Sequence, residues 1–127
     1  MQFFDKNKEA RTPISDIGEF GLIKHLTKDV KTNNRSTVKG IGDDAAVIDL
    51  DKKNFQLISK DLLVEGVHFD LAYTPLKHLG YKSVVVSVSD ITSMNAKAQH
   101  IIVGIAVSNR FTVEALDELY SGIKLAC

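Results

Sequence analysis

The sequence has little of what marks disulfide-rich, secreted or membrane-spanning proteins. Its 127 residues include one cysteine, Cys127, which excludes an internal disulfide framework and a cysteine-based metal cluster. No stretch approaches the ~20 consecutive apolar residues of a membrane span. The first residues are too charged for a secretory signal. We therefore expect a protein of the reducing cytoplasm.

A net charge of one sign is also missing. The 16 lysine and arginine residues balance the 16 aspartate and glutamate residues, so the formal net charge is +0. No global field favours nucleic acid or a membrane surface, and we expect neither as a partner. Hydrophobic residues make up 44% and charged residues 25%, which is typical of a globular protein. The length suits one compact domain.

Three segments have the apolar spacing of helices. The spacing predicts helices over residues 18–30, 79–94 and 112–126, the last with Thr112 as its N-cap. Thr74-Pro75 predicts a helix start just before the second one. Valines in this second segment favour a strand by propensity. However, its polar residues and Met94 fall on one helical stripe, which decides for a helix.

Other segments are strand-like or irregular. Residues 45–50 and 55–64 flank the polar turn Asp51-Lys-Lys-Asn54 and predict a hairpin, and residues 101–107 predict a further strand. Residues 1–16 are expected to form a flexible arm, and residues 31–37 a polar loop. The order of elements predicts an α/β or α+β domain, with a mixed sheet flanked by helices.

Two acidic motifs accompany the predicted hairpin. In the first, two glycines allow a tight turn and precede Asp43 and Asp44, of which strand alternation turns one toward a site. A plain acidic turn is the alternative. In the second, Ser59 and Asp61 share one face if they lie in a strand. Their oxygens are hard ligands suited to Mg²⁺.

Two further residues stand out by their surroundings. Asp90 lies on the polar stripe of an otherwise apolar helix, where a carboxylate needs a cation, a donor or a metal as partner. His68 sits between apolar neighbours, and a partly buried structural histidine is the alternative to a functional one. The common phosphate-loop and dinucleotide fingerprints are absent from the sequence. Phosphate chemistry would therefore depend on metal ions held by carboxylates.

Four motifs follow one another along the chain: GEFGLI (18–23), GIGDDAAVI (40–48), SKDLLVEGVHFD (59–70) and VSVSDITSMNA (86–96). In this order they closely resemble the amino-terminal half of thiamine-monophosphate kinase. That family belongs to the superfamily of aminoimidazole-ribonucleotide synthetase and selenophosphate synthetase. The resemblance implies the amino-terminal fold of this superfamily, whose sheets pair across a two-fold axis into a barrel. It therefore implies a homodimer, which we expect to form through residues 55–64 and 101–107.

The resemblance also implies an activity and its residues. The family transfers the γ-phosphoryl group of ATP to thiamine monophosphate and so makes thiamine diphosphate, with several Mg²⁺ ions. Asp43 is an additional candidate for the metal site, and His68 is placed against the thiamine phosphate. The positions that match the family's magnesium ligands are Asp44, Ser59, Asp61 and Asp90.

The sequence departs from the family in three respects. Lys60 stands where the family has a threonine ligand, and an inward ammonium there would repel a metal ion. Ser87 stands where asparagine is usual. The family's G-G-D-T segment and its carboxy-terminal domain are not in the sequence. We therefore expect residues 17–127 to form an incomplete amino-terminal kinase domain that is inactive alone.

Two other functions stay open at this point. The first is another ATP-dependent synthetase of the same superfamily, from selenophosphate or purine synthesis, since GIGDDAAVI fits several members. The second is a degenerate domain kept for dimerisation or ligand binding, which Lys60 and Ser87 support.

Overall fold

A computed structural model describes residues 12–127 of the chain. The chain divides into two compact units, Met1–Arg35 and Ser36–Cys127. We expected a flexible arm over residues 1–16, and residues 1–11 of it lie outside the described part of the chain. Among residues 12–127, no helix is both long and apolar enough to cross a membrane.

The first unit contains helix α1, Ile14–Leu26. It begins four residues before the predicted helix over residues 18–30 and also ends four residues earlier. Gly18 lies inside it with φ 66°, a left-handed conformation that kinks the helix and suits glycine. At the end, both the backbone N–H and the hydroxyl of Thr27 donate to the Ile23 carbonyl, at 3.0 and 2.7 Å.

The second unit contains an antiparallel sheet in the order β1-β2-β3. Its strands are β1, Thr37–Lys39, β2, Ala46–Asp49, and β3, Phe55–Ile58. The predicted hairpin is confirmed, because β2 pairs with β3 from Ala46–Ile58 to Asp49–Phe55. The predicted mixed sheet is wrong, since both strand pairs in the described chain are antiparallel. With three residues, β1 is too short to show a period in the sequence.

The turn of this hairpin is organised by Asp51. Its carboxylate accepts hydrogen bonds from the backbone N–H groups of Lys53 and Asn54, and from the Asn54 side-chain amide. These donors, the Asn54 side chain first, hold the pKa of Asp51 below its usual value. Strand β3 ends at Ile58, not at residue 64 as predicted. Strand β2 starts at Ala46 and not at residue 45, because the glycine-containing turn over residues 41–45 lies outside the sheet.

Two helices complete the second unit. Helix α2, Leu76–Ser93, begins directly after Pro75, close to the predicted start. Helix α3, Val113–Ala126, has the predicted N-cap, since the Thr112 side chain accepts from the Ala115 N–H at 3.2 Å. The predicted strand over residues 101–107 is wrong. The segment has strand-forming residues, but it pairs with no strand in the described chain, and its side chains are exposed.

Helices α2 and α3 pack with their backbones unusually close together. A Cβ atom built on Gly80 would overlap the Leu119 carbonyl, and one built on Gly122 would overlap the Lys77 carbonyl. Gly80 of α2 therefore lies against α3, and Gly122 of α3 lies against α2. Leu79, Val84 and Ile123, three of the few buried apolar side chains among the described residues, lie along these helices. This contact lies in the amino-terminal half of α2.

We expect Gly80→Ala to destabilise the protein by about 1–3 kcal/mol, because a methyl group pushes against backbone that cannot swing away. Urea unfolding followed by circular dichroism measures the change. Gly104→Ala is the matched control, since a Cβ atom there meets no atom within 4 Å. Equal stabilities of the two variants would show that the helices are not in this close contact.

Candidate functional site

Two serine–carboxylate hydrogen bonds connect segments that are far apart in the sequence. The Ser59 hydroxyl donates to Asp90 Oδ2 at 2.8 Å. The Ser93 hydroxyl donates to Asp44 Oδ2 at 2.6 Å. The first bond joins the end of β3 to α2, and the second joins the loop before β2 to the last turn of α2. We call these four residues, Asp44, Ser59, Asp90 and Ser93, the serine–aspartate cluster.

Helix α2 supplies half of this cluster. Asp90 and Ser93 are three residues apart, which makes them neighbours on one face of a helix. Asp90 is half-buried, so its carboxylate needs a hydrogen-bond donor or a cation as partner. The Ser59 hydroxyl is that partner, and it supplies a charge-assisted hydrogen bond to a carboxylate withdrawn from part of its water.

The glycine loop over residues 40–45 separates its two carboxylates. Gly42 has φ 111°, which only glycine adopts readily, and it lets the chain turn before the acidic pair. The Asp43 carboxylate forms an ion pair with Lys39 of β1 and accepts from the Asp44 N–H at 2.9 Å. Asp44 instead reaches Ser93. The two neighbouring carboxylates therefore have different partners, although both lie in the loop before β2 and not in a strand as the sequence suggested.

The other predicted site residues lie outside the cluster. Lys60 and Asp61 are exposed and follow the end of β3, so the premise that Ser59 and Asp61 share a strand face does not hold. Within residues 12–127, no hydrogen bond joins Asp61 to the cluster. Ser87 lies half-buried on α2.

His68 lies in a separate turn that its own ring helps to close. Its Nδ1 accepts a hydrogen bond from the Val64 N–H at 3.0 Å, and its carbonyl accepts from Lys82 Nζ at 2.8 Å. The ring is exposed. In a neutral imidazole, acceptance at Nδ1 leaves the proton on Nε2. The remaining nitrogen of His68 is therefore a hydrogen-bond donor.

Sequence reasoning missed Ser93 and Lys39. Ser93 carried a signal, because it lies one helical turn after Asp90 and a hydroxyl at that spacing can join the same group of side chains. Lys39 carried none, since an ion pair with Asp43 depends on how tightly the glycine loop turns.

The donor set of the cluster is suited to a hard cation. Two carboxylates and two hydroxyls provide oxygen atoms alone, and each serine proton engages only one oxygen of its carboxylate. Among the described residues there is no group of three or more histidine, cysteine, aspartate or glutamate side chains that would enclose a metal. Magnesium usually takes one or two carboxylates together with substrate phosphates and water. The residues present fit that pattern.

Comparison with known proteins identifies the family. The family model described as "AIR synthase related protein, N-terminal domain" matches residues 42–127, which include the whole cluster. The chain belongs to this family. The resemblance found in the sequence is thereby confirmed.

Several curated relatives carry one name. The chain is 42% identical to the thiamine-monophosphate kinase of Buchnera aphidicola from Schizaphis graminum, over 72% of this chain and 28% of that protein. It is 35% identical to that of Bacillus subtilis, over 84% and 33%. It is 32% identical to that of Aquifex aeolicus, over 90% and 35%. The chain thus spans about a third of the length of these relatives. No solved structure matches it.

We expect Ser59→Ala to destabilise the protein by about 1–2 kcal/mol, because the half-buried Asp90 carboxylate loses its hydroxyl donor. Urea unfolding at neutral pH measures this loss. Ser121→Ala is the control, since that exposed hydroxyl donates only to the Glu118 carbonyl in its own helix. A Ser59 variant as stable as the control would mean that the bond to Asp90 contributes nothing.

Proposed function

We propose that this chain is the metal- and substrate-binding amino-terminal part of an ATP-dependent kinase that converts thiamine monophosphate to thiamine diphosphate. The observation that carries the proposal is the cluster, in which carboxylates from the glycine loop and from α2 are each held by a serine. The relatives named thiamine-monophosphate kinase support the choice of substrate.

The reaction explains why oxygen ligands matter more than an acid or a base. The acceptor is an ionised phosphate, so its nucleophilic oxygen needs little deprotonation. The main obstacle is the repulsion between two anions, and Mg²⁺ supplies charge neutralisation and alignment for in-line transfer when it is bound. The residues that would hold the ions are Asp44, Ser59 and Asp90, with Asp61 and Asp43 as further ligands.

In this proposal His68 donates a hydrogen bond to the substrate, whereas Lys60 does not bind the metal ions. With Nδ1 occupied by the Val64 N–H, His68 presents Nε2–H, which suits a phosphate oxygen of thiamine monophosphate. Lys60 carries an ammonium group with no lone pair, so it is not a ligand at the position of the family's threonine. Its side chain is exposed, and Lys60 is not one of the four residues of the cluster.

A magnesium titration of the 127-residue chain, followed by amide chemical shifts, tests the metal site. We expect shifts around Asp44, Ser59 and Asp90, and Asp44→Asn or Asp90→Asn should raise the Mg²⁺ dissociation constant at least about tenfold. Asp117→Asn, on the exposed surface of α3, is the control. Thiamine monophosphate added with Mg²⁺ should then shift His68.

Each failure of this titration has a distinct meaning. The absence of any Mg²⁺ response at the cluster would support the degenerate, non-catalytic domain. A metal response combined with shifts from a purine-pathway ribonucleotide, and none from thiamine monophosphate, would support another synthetase of the superfamily.

We also propose that the chain forms a homodimer through β3 and the residues that follow it to 64, together with residues 101–107. Exposed apolar side chains on these segments support it: Phe55 is 52% exposed, and Ile102 is 101% exposed. Surfaces of this kind are usually covered by a partner. A stable interface would bury at least about 1,200 Å² in total.

Sedimentation velocity at micromolar concentration measures the proposed association, and we expect twice the mass of the chain. Ile102→Asp should shift the population to monomer, because it places a charge on an exposed apolar segment of the proposed interface. Val113→Asp is the control, since Val113 is 71% exposed at the start of α3 and lies on neither segment. A monomeric wild-type chain would contradict the dimer.

A further inference from the structure

We propose that Ser93 is a positioning residue, whose hydroxyl holds the Asp44 carboxylate against the last turn of α2, beside Asp90. The metal that this arrangement would serve rests on the proposed function. The positioning itself is a property of the metal-free chain and depends on its hydrogen bonds.

The Ser93 hydroxyl has two acceptors within reach and one proton to give. Asp44 Oδ2 lies at 2.6 Å, and the Asp90 carbonyl oxygen lies at 2.8 Å. Hydrogen bonds from a hydroxyl to a carboxylate are short, about 2.5–2.7 Å, and stronger than bonds to a neutral carbonyl. The Asp90 carbonyl already accepts from the Met94 N–H at 3.3 Å. The proton therefore lies on the bond to Asp44.

This bond spans a long stretch of chain. Asp44 and Ser93 are 49 residues apart in the sequence. The glycine loop that carries Asp44 turns at Gly42, and its other carboxylate is already engaged by Lys39 of β1. The loop is thus held on one side by β1 and on the other by α2. Without Ser93, the tie to α2 through the Asp44 side chain is lost.

The same bond leaves the carboxylate able to bind a cation. Ser93 engages Oδ2, and a carboxylate has about four lone-pair sites on its two oxygens. Ser59 likewise engages only Oδ2 of Asp90, so the other lone pairs of that carboxylate stay available to a cation. Partners of this kind orient ligands, and their loss typically lowers metal affinity about 10- to 100-fold. Because the loop keeps its second tie through Lys39, we expect the low end of that range for Ser93.

The test compares Ser93→Ala with Ser89→Ala. Ser89 is on the same helix, and its hydroxyl donates to the Val86 carbonyl one turn back at 2.7 Å. No hydrogen bond joins it to a carboxylate within residues 12–127. In the metal-free chain, we expect faster amide hydrogen exchange over residues 41–45 in Ser93→Ala alone. In a Mg²⁺ titration, its dissociation constant should rise by up to about tenfold.

Rescue separates positioning from a general effect on α2. Ser93→Thr keeps the hydroxyl and should restore both the exchange rates and the Mg²⁺ affinity to near the wild-type values. Unchanged exchange in Ser93→Ala would overturn the proposal, as would faster exchange with unchanged Mg²⁺ affinity or a failed rescue. A wild-type chain that binds no Mg²⁺ would contradict the proposed function instead. The metal-free exchange would then still decide whether Ser93 positions Asp44.

Discussion

The close contact between α2 and α3 is the constraint on which the second unit depends. Gly80 and Gly122 let two backbones approach where any side chain would overlap a carbonyl group of the opposite helix. Few side chains are fully buried among residues 12–127, so this backbone contact contributes a large share of the packing. It anchors the amino-terminal half of α2, and the last turn of the same helix carries Asp90 and Ser93.

The cluster follows from this geometry and from simple electrostatics. A half-buried carboxylate such as that of Asp90 loses part of its hydration, and a carboxylate that is to bind a cation needs a hydrogen-bond donor that does not neutralise it. Serine hydroxyls meet this need, because they stabilise the anion and leave lone pairs available. A lysine at the same places would have cancelled the charge, as Lys39 does for Asp43 outside the cluster.

Features that depend on neighbouring residues could be predicted from the sequence, whereas features that depend on contacts between distant segments could not. The helices of the second unit, the Thr112 cap and the hairpin turn depend on nearby residues, and all were found. The strand over residues 101–107 was predicted from its apolar residues, but a strand also needs a partner. In the site, the sequence singled out Asp44 and Asp90 as acidic, whereas the hydroxyl that holds Asp44 comes from 49 residues away.

The central claim is that carboxylates from the glycine loop and from α2 form one cation site. Paramagnetic broadening of amide resonances by substoichiometric Mn²⁺ tests it most directly, because the effect reports distance from a single ion. If one ion binds between these segments, the amides of Asp44, Ser59 and Asp90 broaden together and first, and Mg²⁺ reverses the effect. Broadening that begins at other acidic residues, or that reaches Asp44 and Asp90 at different Mn²⁺ concentrations, would contradict it.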